Sequence, residues 1–342
     1  MMRKLFAIVL VMLLLTGCVT LRQEPDQLTQ YNATFLTLFD TVTTVVGRYP
    51  SEKEFSDVTQ AFHDRLLEYH ELFDIYNDYE GLNNLKTVND QAGIAPVEVD
   101  SRIIDLLNDC KAYYELTDGK VNVAMGSVLN LWHIARNHSI NDPANAYIPD
   151  SDTLAEAANH CSFDTILIDE DAGTVFITDP DQRLDVGAVA KGWSLQRVAE
   201  STPSGLLVSI GGNVFATGPK DDKGTPWVVG VTNPDGGNYL HTLNISYGSV
   251  VTSGDYQRFY QVEGVNYHHI IDPVTLFPSS YWRSVTIVCD DSGLADALST
   301  ALFLLPQAEG QALLDSCGAE ALWMDPDGNL HYSTNFKTLI RT

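Results

Sequence analysis

Apolar positions recur at helical spacing in several stretches of the chain. Over residues 55–76, Phe55, Val58, Phe62, Leu66, Leu67, Tyr69, Leu72 and Phe73 follow a period near 3.6, which predicts a long helix. Over 103–116 the stripe is Ile103, Leu106, Leu107, Cys110, Tyr113 and Tyr114, and it stops before Asp118-Gly119, a helix-ending pair. Ser151 or Asp152 can cap a further helix running to Ala158, and helices are also predicted over 188–201, 293–305 and 307–315. Short runs rich in Val, Ile, Thr and aromatic residues predict strands instead. The first covers 35–46, and 165–169 and 174–178 form a hairpin around Gly173. The second half is mostly strand: 206–210, 227–231, 242–246, 250–252, 256–262 and 284–289, then 321–325 and 330–333 around the turn Pro326-Asp327-Gly328. Strands and helices do not alternate strictly. The pattern therefore predicts an α+β fold, antiparallel sheets with packed helices, rather than a doubly wound parallel sheet.

One apolar run fits neither period. Leu5 to Leu15, preceded by Arg3 and Lys4, is too short to span a bilayer but has the length of a signal-peptide core. It ends in Leu15-Thr16-Gly17-Cys18, which resembles a bacterial lipoprotein box; the alternative is an ordinary secretory signal. The expected organisation is a signal peptide over 1–17, a lipidated Cys18 with a polar tether over 18–32, and one folded domain over 33–342. Such a protein is exported and anchored to the bacterial membrane by lipid, at the outer face of the cytoplasmic membrane or on the periplasmic side, rather than threaded through it.

Charge narrows the partners. The chain has 20 Lys and Arg against 45 Asp and Glu, a net charge of −25, and loses two more positive charges if residues 1–17 are removed with Arg3 and Lys4. Nucleic acid, which needs a basic footprint, is excluded as a partner. A small anion is repelled unless a metal or a few basic groups compensate locally. Beyond Cys18, Cys110, Cys161, Cys289 and Cys317 form no Cys-x-x-Cys pair, so a zinc site is not indicated. Export permits disulfides, and the sequence fixes no pairing.

Four stretches carry candidate chemistry. Asp185-Val-Gly-Ala-Val-Ala-Lys191-Gly combines small residues, which let a ligand approach the backbone, with a lysine near a helix start that favours anions. A capping Asp with an exposed lysine is the plainer alternative. Ile210-Gly211-Gly212-Asn213 follows a strand and marks a tight turn or a backbone against a ligand. Tyr267-His268-His269-Ile270-Ile271-Asp272-Pro273 sets two titratable rings before a turn signal. Asp296-Ala-Leu-Ser-Thr300-Ala places a carboxylate and a hydroxyl four residues apart, on one face if helical, where hard oxygen donors suit Mg²⁺ or Ca²⁺. The alternative is that Asp296 caps the helix.

In this order the four stretches resemble the ApbE family of FAD:protein FMN transferases. Phe39-Asp40-Thr41 sits where the family shows Met-Gly-Thr, Tyr76 where it shows an aromatic, and Ala124-Met125-Gly126 with Leu131-Trp132 in its Val-Gly-Pro-Leu…Trp region. Ser253-Gly254-Asp255-Tyr256-x-Arg258 matches its Ser-Gly-Asp-Tyr segment, so the resemblance runs from about residue 33 to the C-terminus. It implies a T-fold-like, ApbE-like architecture and a Mg²⁺-dependent reaction. FAD is split, FMN passes to a Thr or Ser hydroxyl on a target protein, usually a subunit of a membrane redox complex, and AMP is released.

By the same resemblance His269 is the base, with His268 as neighbour or stand-in. Asp296, Thr300 and the Ala188 carbonyl hold the metal. Phe39, Tyr76, Ala124, Met125, Gly126, Asp185, Lys191, Gly211, Gly212, Ser253 and Ile270 contact FAD. Three departures stand out: Phe39-Asp40 for Met-Gly, Val121-Asn122 for Phe-Asp, and Leu276 at a Gly position. The rival readings are an FAD pyrophosphatase giving FMN and AMP, and a non-catalytic exported FAD-binding lipoprotein. A solute-binding lipoprotein is disfavoured because two alternating βαβ domains are missing from the pattern.

Overall fold

The computed structural model describes residues 28–36 and 38–342. The expected signal peptide, Cys18 and all but the last few residues of the expected tether lie outside the described residues. Eight strands form one sheet, antiparallel at every pairing. Their order is Thr29–Phe35, Thr43–Tyr49, Leu206–Ile210, Asn213–Ala216, Gly248–Gly254, Ser284–Cys289, Glu320–Met324 and Leu330–Tyr332. The α+β expectation holds.

The N-terminal reading needs correction. The predicted strand over 35–46 is the end of one strand and the start of another, joined by a 3-10 turn at Leu38–Asp40, with Phe35 paired opposite Thr43. The first strand starts at Thr29, inside the stretch read as tether. Its Tyr31, Ala33 and Phe35 alternate inward onto the core, a period-2 signal that its polar partners masked.

Helices cover one face of the sheet. Glu52–Phe73 is capped by Ser51, whose hydroxyl accepts the Glu54 N–H at 3.3 Å, and it ends three residues before the predicted Tyr76. Phe62 and Leu66 from this helix meet Leu195 and Val198 of the Ala190–Glu200 helix over Val208 and Phe215 of the sheet. The Ser292–Phe303 helix buries Ala295, Leu298 and Leu302 against Val285 and Ile287. On the opposite face the hairpin Trp227–Val231 with His241–Ile245 packs over Val250 and Leu322. Among the described residues no helix is long and apolar enough to cross a membrane.

Two helices escaped the sequence reading, Leu85–Asp90 and Gly126–Asn141. In the second, Val128, Trp132 and Ala135 form the buried stripe, diluted by His133, Asn137 and His138. Its inner face meets Tyr260 and Ile271, next to the hairpin Phe259–Val262 with Val265–His268. The strand predicted over 256–262 begins only at Phe259. Cys110, Cys161, Cys289 and Cys317 are all free thiols.

Candidate active site

A cleft of about 290 Å³ opens where the 3-10 turn, the Gly126–Asn141 helix, the 259–268 hairpin and the Ser292–Phe303 helix converge. Phe39, Tyr76, Met125, Asp185, Ala188, Lys191, Gly211, Ser253, His269, Ile270, Asp296 and Thr300 all line it, although they come from across the chain. Three expected contacts do not. Ala124 is fully buried, its N–H held by Asn122 Oδ1 at 2.9 Å. Gly126 starts the helix with its N–H on the Arg183 carbonyl at 3.0 Å, and a Cβ there would lie 2.5 Å from that carbonyl oxygen. Gly212 is the second residue of the turn after Ile210; Gly211 occupies the cleft wall instead.

The floor of the cleft rests on a close helix contact. Asp296 does not cap its helix; Asp291 does, accepting the Leu294 N–H at 2.8 Å. Asp296 is buried, and its Oδ2 accepts the Gly192 N–H at 2.9 Å and lies 3.7 Å from Lys191 Nζ. This approach requires glycine at 192, since a Cβ there would lie 2.2 Å from the Ser292 carbonyl oxygen. Because the Gly192 N–H points to Asp296, it does not bond the Ala188 carbonyl four residues back. No donor among the described residues takes that carbonyl. The Thr300 hydroxyl is likewise without a partner among the described residues. A helical threonine usually returns its hydroxyl to the carbonyl four residues earlier, but Ser299 Oγ already occupies the Asp296 carbonyl at 2.8 Å. Asp296 Oδ1, Thr300 Oγ1 and the Ala188 oxygen are thus three unused oxygen donors on one cleft, a hard-donor set that fits Mg²⁺.

The two histidines separate cleanly. His268 is buried with both nitrogens engaged: Nε2 donates to the Ser279 carbonyl at 2.8 Å, and Nδ1 accepts the Ile270 N–H at 3.2 Å. It holds the strand end and has no nitrogen left for chemistry. The His269 ring has no hydrogen-bond partner among the described residues. Its Nδ1 is closed off from solvent, which leaves Nε2 as the nitrogen open to the cleft. Burial, and then the neighbouring Arg258, His268, Lys191 and Arg136, lower the His269 pKa to about 3. The ring is therefore neutral near pH 7, with the Nε2 side facing the cleft.

Two departures from the family pattern find a backbone reason. Asp40 and Leu276 stand where the family has glycine, and both adopt left-handed φ, 53° and 63°. Asp tolerates this region better than most side chains. Leu276 is held by its carbonyl, which accepts Trp132 Nε1–H at 2.9 Å. Asp40 carries an exposed negative charge on the rim of the cleft. Replacing it with Asn keeps the backbone compatible and removes the charge, so binding of FAD, the ligand the family resemblance implies, is expected to tighten roughly two- to fivefold, the scale of an exposed charge interaction. Titration of FAD fluorescence checks this, and unchanged or weaker binding would contradict it.

The sequence reading missed Lys120, His133 and Arg136. Tyr76 Oη pairs with His133 Nδ1 at 2.8 Å, and Arg136 follows one turn later on the same helix face. The 132/133/136 spacing was the available signal, but it is readable only once 126–141 is known to be a helix.

A sheet-and-helix cleft with unused oxygen donors, an open neutral imidazole and several cations defines an enzyme-like site for a phosphate-bearing ligand. The ApbE family profile matches residues 31–323, and the chain belongs to that family. It is 36% identical over 277 residues to an FAD:protein FMN transferase of Treponema pallidum, covering 75% of each chain. A Klebsiella pneumoniae FAD:protein FMN transferase is 32% identical over 267 residues, covering 74% of this chain and 79% of its own. Among solved structures, the ApbE protein of Thermotoga maritima superposes with a TM-score of 0.81 at 29% identity, covering 92% of this chain and all of the other.

Proposed function

We propose that this protein transfers the FMN moiety of FAD to a Ser or Thr hydroxyl of a target protein and releases AMP. The observation that carries the reading is the convergence of open His269 Nε2 with the unused donors of Asp296, Thr300 and Ala188 in one cleft. Family membership and two relatives above 30% identity named for this activity support it.

The chain's own residues account for the proton and the charge. The acceptor hydroxyl gives its proton to His269 Nε2 as its oxygen bonds to the FMN phosphorus, and the bond from that phosphorus to the bridging oxygen breaks so that AMP leaves. Asp296 Oδ1, Thr300 Oγ1 and the Ala188 carbonyl would hold Mg²⁺, which supplies Lewis-acid stabilisation of phosphoryl oxygens when bound. Lys191, set by the Gly187 carbonyl at 3.2 Å and by Asp296, keeps a positive charge beside that set. Tyr76, half exposed and fixed by His133, offers a ring face for stacking on flavin or adenine.

The target is proposed to be a redox-complex subunit bearing a Ser/Thr flavinylation motif. The Leu15-Thr16-Gly17-Cys18 box supports a lipid anchor at Cys18, placing the domain on the outer face of the cytoplasmic membrane or on the periplasmic side. Incubation with FAD and Mg²⁺, with and without an acceptor domain carrying such a motif, tests the reaction. AMP release that depends on the acceptor is expected. Equal amounts of FMN and AMP without acceptor would identify a pyrophosphatase, and bound FAD with no AMP would leave only a flavin-binding protein.

The pH dependence follows from His269. Its folded pKa of about 3 lies below the ordinary 6.5, so between those values the unfolded chain binds a proton that the folded chain does not. Stability therefore falls as pH drops from about 6.5 toward about 3. Burial lowers the pKa of His268 and His133 as well, and both add to the same trend. The acid limb of kcat/KM, which reports the free enzyme, is expected well below 6.5. A limb at 6.5 would show that His269 is not the base or is not buried as described.

A further inference from the structure

Arg136 and Arg258 are anomalous in a chain with net charge −25. Arg102, Arg197 and Arg283 each hold carboxylates. Neither Arg136 nor Arg258 has a side-chain hydrogen bond or a carboxylate oxygen within 4.0 Å among the described residues, yet both line the cleft. They come from its two walls. Arg136 lies on the Gly126–Asn141 helix, whose face is fixed by the Trp132 bond to the Leu276 carbonyl at 2.9 Å and the His133 bond to Tyr76 at 2.8 Å. Arg258 precedes the Phe259–Val262 strand, and its carbonyl accepts the His269 N–H at 3.1 Å. Burial first, and Arg258 second, disfavour the charge on Arg136, which places the Arg258 charge within reach of Arg136. Arg136 is partly buried and Arg258 exposed; two like charges on one cleft, neither with a carboxylate at ion-pair distance among the described residues, attract a polyanion. The planar guanidinium fork matches phosphoryl oxygens bidentately.

We propose that Arg136 and Arg258 form a two-guanidinium clamp for the phosphoryl oxygens of a nucleotide phosphate, closing from the helix wall and the hairpin wall of the cleft. The clamp rests on the transferase reading for the identity of its ligands: the diphosphate of FAD is the substrate, and AMP and FMN each carry one of its phosphates. Because Arg258 is tied through its backbone to His269, the clamp also fixes the phosphate relative to the base.

Calorimetric titration of the protein with AMP against adenosine, and with FMN against riboflavin, tests the clamp without turnover. Arg136→Gln, Arg258→Gln and the double variant are expected to bind the phosphate-bearing partner of a pair roughly 10- to 100-fold more weakly, the scale of hydrogen bonds to charged groups, and its nucleoside unchanged. Loss in the AMP pair assigns the clamp to the adenylate phosphate, and loss in the FMN pair to the flavin phosphate. Arg136→Lys, which keeps the charge without the fork, is expected to fall between wild type and Arg136→Gln, and it replaces Arg136→Gln if melting curves show that variant unfolded. The proposal is overturned if the double variant binds AMP and FMN as tightly as wild type, or if adenosine and riboflavin weaken by the same factor. Failure of the transferase reading is separately visible, as wild-type protein that binds nucleotides but releases no AMP from FAD in the presence of acceptor.

Discussion

His269→Ala is expected to lower kcat for FMN transfer by about 10²- to 10⁴-fold, the range of a general base, while leaving FAD affinity near wild type. The ring makes no hydrogen bond among the described residues, so its removal leaves none of them unsatisfied and the fold should stand. His268 supplies the contrast. Both of its nitrogens serve the backbone at Ser279 and Ile270, and its ring packs edge-on against Phe303 with centroids 5.5 Å apart. His268→Leu strands a part-buried carbonyl and a buried N–H, so the N–H alone should cost about 1–3 kcal/mol of stability. Single-turnover rates and melting curves on the two variants separate these roles. The assignment fails if His269→Ala turns over normally, or if His268→Leu is fully stable and inactive.

Gly192→Ala should damage both stability and activity. The added methyl would lie 2.2 Å from the Ser292 carbonyl and 2.5 Å from Asp296 Cβ, so the Ala190–Glu200 and Ser292–Phe303 helices must separate. Overpacking of this kind costs about 1–3 kcal/mol. The chemical consequence reaches further, because separation breaks the Gly192 N–H to Asp296 Oδ2 bond and spreads Asp296 and Thr300 away from the Ala188 carbonyl. A loss of transfer exceeding the loss of folded protein, with a higher Mg²⁺ requirement, is the expected result. A variant with wild-type melting temperature and Mg²⁺ response would show that the helix contact does not set the donor geometry.

What the sequence disclosed and what it hid have physical causes. The Ser292–Phe303 helix and the strands around it carry dense apolar signals, and Asp296 with Thr300 was legible because four residues make one helical turn. The choice between His268 and His269 was not legible, since it depends on which ring reaches Ser279, eleven residues away across a turn. The Ala188 carbonyl entered only through the family resemblance, and its physical reason was hidden: it is free because a residue 104 positions on in the chain captures the Gly192 N–H. At the N-terminus, the strand break at Leu38–Asp40 has no glycine or proline to mark it; non-glycine residues hold left-handed backbone there. Arg136 went unnoticed because its helix has a weak apolar stripe, and an isolated arginine looks like a surface charge until its missing partner is seen.

The most direct test of the account is the intact mass of an acceptor domain after incubation with the purified protein, FAD and Mg²⁺, beside the His269→Ala protein. The account predicts a gain of one FMN on a Ser or Thr of the acceptor, matched mole for mole by AMP, and neither product with the variant. AMP and free FMN with an unmodified acceptor, or an equal mass gain with His269→Ala, would contradict it.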